Sequence, residues 1–203
     1  DSQGNVIMVG YFKGSDFSPG DTTLMASSSE FDLYLAKYDG DGNFMWASQG
    51  VGSGEDMLWD VVCDHNNHII VTGSFGNFTS ASISLESSSL ANSGMGDLLL
   101  AKYDSNGTLL WAKREGGSSR DWGRSVDVDE LGNIYLGGNF KGGTFNIDGT
   151  PISNLGQYGF FLAKYNPSGN LIWYRMGNTP SVEIIRNIVV APETGNVYAY
   201  GDF

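Results

Sequence analysis

A single cysteine, Cys63, leaves no partner for an internal disulfide. Packing and hydrogen bonding must therefore hold the chain together, although this alone does not assign a redox compartment. Proline is scarce, at 5 of 203 residues, so little in the chain interrupts strand pairing. Basic residues are few: Lys+Arg 11 stand against Asp+Glu 23, a net charge of −12. Such a chain repels phosphate backbones, and nucleic acid is not an expected partner. No run approaches the roughly 18 apolar residues that span a bilayer as a helix. No long segment carries a 3.6-residue period, which excludes a helical solenoid. Ser/His/Asp sets, glycine-rich phosphate loops and zinc-ligand spacings are also missing, so the sequence implies no cofactor and no catalytic residue.

Glycine and aromatics are abundant: Gly 29, Trp 5, Tyr 10 and Phe 11. Many glycines and aromatics with few helix formers point to an all-β chain with many tight turns. The chain also repeats itself. "GNVIMVGYF" ends at Phe12, "NHIIVTGSF" at Phe75, "GNIYLGGNF" at Phe140 and "GNVYAYGDF" at Phe203. Two further anchors keep the same period. Lys37, Lys102 and Lys164 lie in "LAKYD", "LAKYD" and "LAKYN", and Trp46, Trp111 and Trp173 follow them at identical intervals.

Each unit of about 64 residues reads as four strands of about 7 residues separated by turn residues. In "FDLYLAKYD" both faces of the strand carry apolar side chains. A half-solvated hairpin would alternate with polar residues, whereas a sheet packed between two neighbours must be apolar on both sides. The expected fold is therefore an all-β propeller of consecutive four-stranded antiparallel blades, with a parallel β-helix as the rival. The insertions 13–31, 76–96 and 141–158 predict an extra, poorly buried hairpin on each blade. The expected units are a partial blade at 1–50, blades at 51–115 and 116–177, and a partial blade at 178–203. This is an incomplete ring, which implies a longer chain or completion by another subunit.

The motif series D-L-Y-L-A-K-Y-D, G-N-F-M-W, G-S-G-E-D, V-V-C-D and H-I-I-V-T-G-S-F resembles the SBBP-type β-propeller repeats of large secreted bacterial proteins, common in Bacteroidetes. The third unit departs from the pattern, with "GNTPSVEIIRNIVVA" where G-G-x-G-x-D and V-D belong. The resemblance implies an extracellular or cell-surface setting and brings no catalytic motif. It also implies that "DVVCD" lies innermost, beside a central channel, and the tryptophan strand outermost.

Several constellations invite a chemical reading. Asp39, Asp41 and Asn43 in "DGDGN" are spaced like the start of a calcium loop. The same turn recurs as "DSNGT" and "NPSGN", which loses the carboxylates but keeps a side chain that caps backbone N–H groups and a following glycine. That retention favours a turn. His65 and His68 fall in another inter-strand turn. Cys63 aligns with Val128 and Val190, as a small core hydrophobe would. Lysines 37, 102 and 164 sit inside apolar strands and need partners if buried. Asp56, Asp121 and Glu183 recur at one acidic position, and a repeated lysine–carboxylate pair, or lysines bonded to turn carbonyls, is expected.

Residues peculiar to one blade are the better functional candidates, because the repeat accounts for the rest. These are Trp59, Arg120, Trp122, Arg124 and Arg186, all near the innermost strands. Trp59 and Trp122 are of a kind that stacks on a sugar ring, or on the next blade. The functional expectation is a non-catalytic binding or scaffold module with a protein or glycan partner. A glycan-active enzyme would instead use carboxylates such as Asp60, Asp127 and Glu183 at one channel opening. A structural subunit of a surface filament is a third reading.

Overall fold

The computed structural model describes residues 1–77, 81–153, 158–177, 182–191 and 194–202. It is all-β and propeller-like. β1 (Val6–Phe12), β2 (Asp32–Tyr38) and β3 (Phe44–Gln49) form a three-stranded antiparallel sheet. The two-residue β4 (Val51–Gly52) then leads into a four-stranded sheet of β5 (Met57–Cys63), β6 (Ile69–Phe75), β9 (Asp97–Tyr103) and β10 (Leu109–Glu115), with the hairpin β7 (Ser82–Leu85) and β8 (Ser88–Ala91) inserted between β6 and β9. The next blade repeats this order: β11 (Asp121–Val128), β12 (Ile134–Lys141), the hairpin β13 (Thr144–Ile147) and β14 (Thr150–Ser153), then β15 (Tyr158–Tyr165) and β16 (Leu171–Gly177). β17 (Ile184–Val190) pairs with β18 (Val197–Asp202). Every pairing between consecutive blade strands is antiparallel. The described residues do not close a ring, and the Phe203 anchor lies outside them.

The first strands of successive blades are neighbours: β11 packs between β5 and β17. The tryptophan strands β3, β10 and β16 are the opposite edges of their sheets. The inner and outer assignment of strands is thus the one the repeat resemblance implies.

Strand alternation explains how one blade serves two interfaces. Along β9, Leu98 and Leu100 join the cluster shared with the following blade, beside Leu136, Phe140, Phe145 and Phe161. Leu99, Ala101 and Tyr103 face the preceding blade, beside Leu33, Leu35 and Val71. No face of the central strands is left to water, which is why β9 is buried along its whole length.

The inserted hairpins differ from expectation. They are not poorly buried: Ile83 and Leu85 sit in the cluster between the first and second blades, and Phe145, Ile147 and Ile152 in the next one. Alternation again supplies the reason, since Ser82 and Ser84 face outward while Ile83 and Leu85 face inward. Each fully buried aliphatic side chain contributes roughly 1.5–3 kcal/mol, so these hairpins act as wedges between blades. In the first insertion, 13–31, only an isolated bridge joins Phe17 to Leu24; Phe17 stacks on Phe12 with centroids 5.0 Å apart.

The tryptophan repeat has a packing cause. A Cβ on Gly107 would lie 2.9 Å from the Trp46 ring, and one on Gly169 would lie 3.3 Å from the Trp111 ring. Trp46 and Trp111 therefore each cover the glycine turn of the following blade. Both glycines also have positive φ, 86° and 80°, so the turn needs glycine for two independent reasons.

Candidate functional site

The turns between strands fix what the acidic motifs do. Asp39 Oδ1 accepts the amides of Asp41 and Asn43 at 2.9 and 2.8 Å, and Oδ2 accepts Asn43 Nδ2 at 2.8 Å. These bonds hold the Asp39 carboxyl below its ordinary pKa. Asp104 and Asn166 cap their own turns in the same way. The stretch 39–43 is a capped turn, with Asp39 committed to backbone amides. Among the described residues, no group of three or more His, Cys, Asp or Glu is arranged to hold a metal ion.

The repeated lysines are ion-paired, but their partners are not Asp56, Asp121 and Glu183. Lys37 Nζ lies 3.0 Å from Asp1, Lys102 Nζ 2.9 Å from Asp64 and Lys164 Nζ 3.0 Å from Asp129. Lys37 also donates to the Ser105 carbonyl in the next blade at 3.1 Å. Register decides the pairing. Ile70 pairs with Lys102, and Ile69, beside the turn, pairs with Tyr103. The lysine therefore emerges next to the turn between the first two strands, at the far end of the blade from Asp56. Burial pushes the Asp64 carboxyl up, but hydrogen bonds from Lys102 and His68 outweigh it and hold the carboxyl low. His68 accordingly contacts Asp64 at 3.0 Å. Cys63 is half-buried, and burial raises its thiol pKa.

Asp56 and Asp121 lie at the junctions between blades. The Asp56 amide donates to the Phe31 carbonyl at 2.8 Å, and the Asp121 amide to the Gly96 carbonyl at 2.9 Å. Asp56 Oδ1 accepts the Gly76 amide at 3.0 Å, and Asp121 Oδ2 accepts the Gly117 amide at 2.8 Å. Burial drives both carboxyls up, Asp56 to about 7 and Asp121 to about 8, and the nearby charges of Asp32 and Asp97 add to the effect. Glu183 is buried at the equivalent position, and its carbonyl accepts from Asn139 Nδ2 at 3.3 Å.

The inner strands share one irregularity. The register shifts between Leu58 and Asp60, between Gly123 and Ser125, and between Ile185 and Asn187. The extra residues are Trp59, Arg124 and Arg186, three of the five candidates. A β-bulge kinks the strand and re-aims its extra side chain, so one local device presents a tryptophan from one blade and an arginine from each of the next two. Immediately below the bulges, the blades are stitched together. Asp60 Oδ2 accepts the Val126 amide at 2.9 Å and contacts Ser125 Oγ at 2.8 Å. Ser125 Oγ also contacts Asn187 Oδ1 and accepts the Ile188 amide at 3.2 Å. Asp127 Oδ2 accepts the Val190 amide at 2.7 Å.

Above the stitches, the structure brings four of the five candidates to one cleft of about 300 Å³. Its lining includes Glu55, Trp59, Arg120, Trp122 and Arg124. The Arg124 guanidinium carbon lies 5.1 Å from the Trp59 ring centroid and 5.5 Å from that of Trp122. Trp122 stacks on Tyr158 at 6.2 Å, and Lys141 Nζ lies 5.4 Å over Tyr158. Arg120 reaches Glu55 at 3.4 Å. The fifth candidate, Arg186, is ion-paired to Asp202 at 2.6 Å on the adjoining strand. The indoles therefore hold Arg124, with cations lying against ring faces that a sugar would need. Burial lowers the Arg124 pKa, and the charge of Arg186 adds to this.

Residues 110–139 match the family model described as a beta-propeller repeat (SBBP). That segment runs from the outer strand β10 through the stitched inner strand β11 to β12 and contains Arg120, Trp122 and Arg124. The chain is also similar to an uncharacterized WD repeat-containing protein of Acanthamoeba polyphaga mimivirus, with 25% identity over 193 residues that cover 79% of this chain and 13% of the relative. The chain thus spans about an eighth of that relative's length. Both findings support a β-propeller repeat, in agreement with the blades described above.

Sequence reasoning overlooked Glu55, Tyr158 and the lysine partners Asp1, Asp64 and Asp129. The signal for most of these was present. The three aspartates recur at the period of the repeat, and Glu55 stands one period before Arg120. Tyr158 had no such signal, because it reaches the Trp122 ring only through the pairing of β15 with β12.

Proposed function

We propose that this chain is a non-catalytic propeller module that docks a protein partner at the mouth formed by the bulged inner strands. The observation that carries the reading is the convergence of Trp59, Arg120, Trp122 and Arg124, one set of side chains from two blades, on an open cleft. Rigid strands hold variable residues there while the repeat supplies the scaffold, which is how repeat folds separate stability from recognition. The wider setting belongs to the same proposal: part of a larger secreted or cell-surface protein, as the repeat's resemblance to such proteins suggests.

The enzyme reading has less support. The oxygens of Asp60 and Asp127 are engaged by amides of the neighbouring blade. Glu183 precedes β17, whereas Asp127 contacts its last residue, Val190. At about 3.3 Å per residue that separation is on the order of 20 Å, against the roughly 5–10 Å between the carboxyl pair of a glycosidase.

The test is site-specific photo-crosslinking in the source cells, with the reactive group at Met57 beside the cleft or at Met45 on the outer strand. A defined protein adduct from position 57 and none from position 45 is expected. Equal adduct patterns from both positions, or none from position 57, would remove the mouth as the docking surface. Secretion of the same protein into the medium or onto the cell surface, followed by fractionation, tests the setting.

A further inference from the structure

Resting on that reading, we infer that Arg124 is a preorganised receptor for a single carboxylate, an aspartate or glutamate side chain of the protein partner. The Arg124 Nε is buried and has no hydrogen-bond partner. No ion pair or hydrogen bond engages its guanidinium among the described residues; its contacts are the faces of Trp59 and Trp122. In a chain of net charge −12, acidic side chains are abundant, yet none among the described residues pairs with this cation. The neighbouring arginines are committed, Arg120 to Glu55 and Arg186 to Asp202.

Contact with both indole rings restrains the guanidinium, and its Nε–H has no acceptor among the described residues. A planar fork held in this way loses little freedom when a carboxylate accepts from it in bidentate fashion. The partly desolvated setting strengthens the pair relative to water. Two features narrow the ligand. The cleft's other cation, Arg120, is already paired with Glu55, so the cleft offers one uncommitted fork and suits a single carboxylate. Arg124 lies over Trp59 and Trp122, and Lys141 over Tyr158, so each ring has one face taken by a cation and less surface on which an acidic sugar could stack. A carboxylate on a short flexible stem satisfies both conditions.

The experiment is an NMR titration of the full chain at low salt, following the arginine Nε–H and tryptophan indole N–H resonances. The probes are a capped pentapeptide with one central glutamate among glycines, its glutamine counterpart, and trigalacturonate. The glutamate peptide is expected to shift the Arg124 and indole resonances saturably, with at least tenfold weaker binding of the glutamine peptide. Arg124→Gln should abolish that preference, and Arg175→Gln, on the outer strand β16, should leave it unchanged. Equal response to both peptides, no saturable response, or preferential binding of trigalacturonate would each overturn the inference. If Arg124→Gln does not fold, the comparison of the two peptides on the unaltered protein still decides the matter. A crosslinked partner at position 57 with no glutamate preference would sink this inference alone; loss of the position-57 adduct would sink the docking reading itself.

Discussion

Replacing Asp121 with asparagine tests the blade junction directly. Asp121 is 2% exposed and its carboxyl is raised from 3.8 to about 8 by burial and by the charge of Asp97. At neutral pH the folded protein therefore holds a proton that the unfolded chain has released. Because the folded pKa is the higher of the two, the stabilisation is fully present below about pH 4 and is lost as pH rises toward 8. One pKa unit corresponds to about 1.4 kcal/mol, so between pH 4 and pH 7 this one group removes on the order of 4 kcal/mol. Domain stabilities of about 5–15 kcal/mol make that a large share. Asp121→Asn keeps the shape and the acceptor for the Gly117 amide but cannot ionise. It should be close to neutral near pH 4.5 and more stable than the unaltered protein by several kcal/mol near pH 8. Urea unfolding followed by tryptophan fluorescence from pH 4.5 to 8.5 measures both profiles. If the two curves run parallel, Asp121 does not carry a proton in the folded state and the reasoning fails.

Lys102→Met should cost about 3–5 kcal/mol, because it leaves Asp64 buried without its cation, and adding Asp64→Asn should recover part of that loss in a double-mutant cycle. Ile83→Ala should destabilise by about 2–5 kcal/mol if the inserted hairpin is a wedge between blades; a change under about 0.5 kcal/mol in chemical denaturation would return the hairpin to the surface. Gly107→Ala, which meets both a positive φ and the Trp46 ring, should lower stability by more than about 1 kcal/mol and alter the fluorescence of Trp46.

Much of this architecture is legible in one dimension. The recurrence of three separate anchors at one period, apolar residues on both faces of "LAKYD" and repeated turn glycines are local or periodic properties, and they specify antiparallel blades before any contact is known. The same periodicity aligns Trp59, Arg124 and Arg186 at one position of the repeat. It does not reveal that all three are bulge residues, because a register shift depends on the partner strand. The lysine partners were misjudged for a related reason. Spacing gives equivalent positions in successive blades, but only strand register says which end of the sheet a side chain reaches, and that end holds Asp64 rather than Asp56. The buried hairpins and the covered indoles were decided later still, by the approach of one blade to the next. Repetition along the chain encodes the blade; the interface between blades depends on shape complementarity among residues a full repeat apart, and that is settled only when the sheets pack.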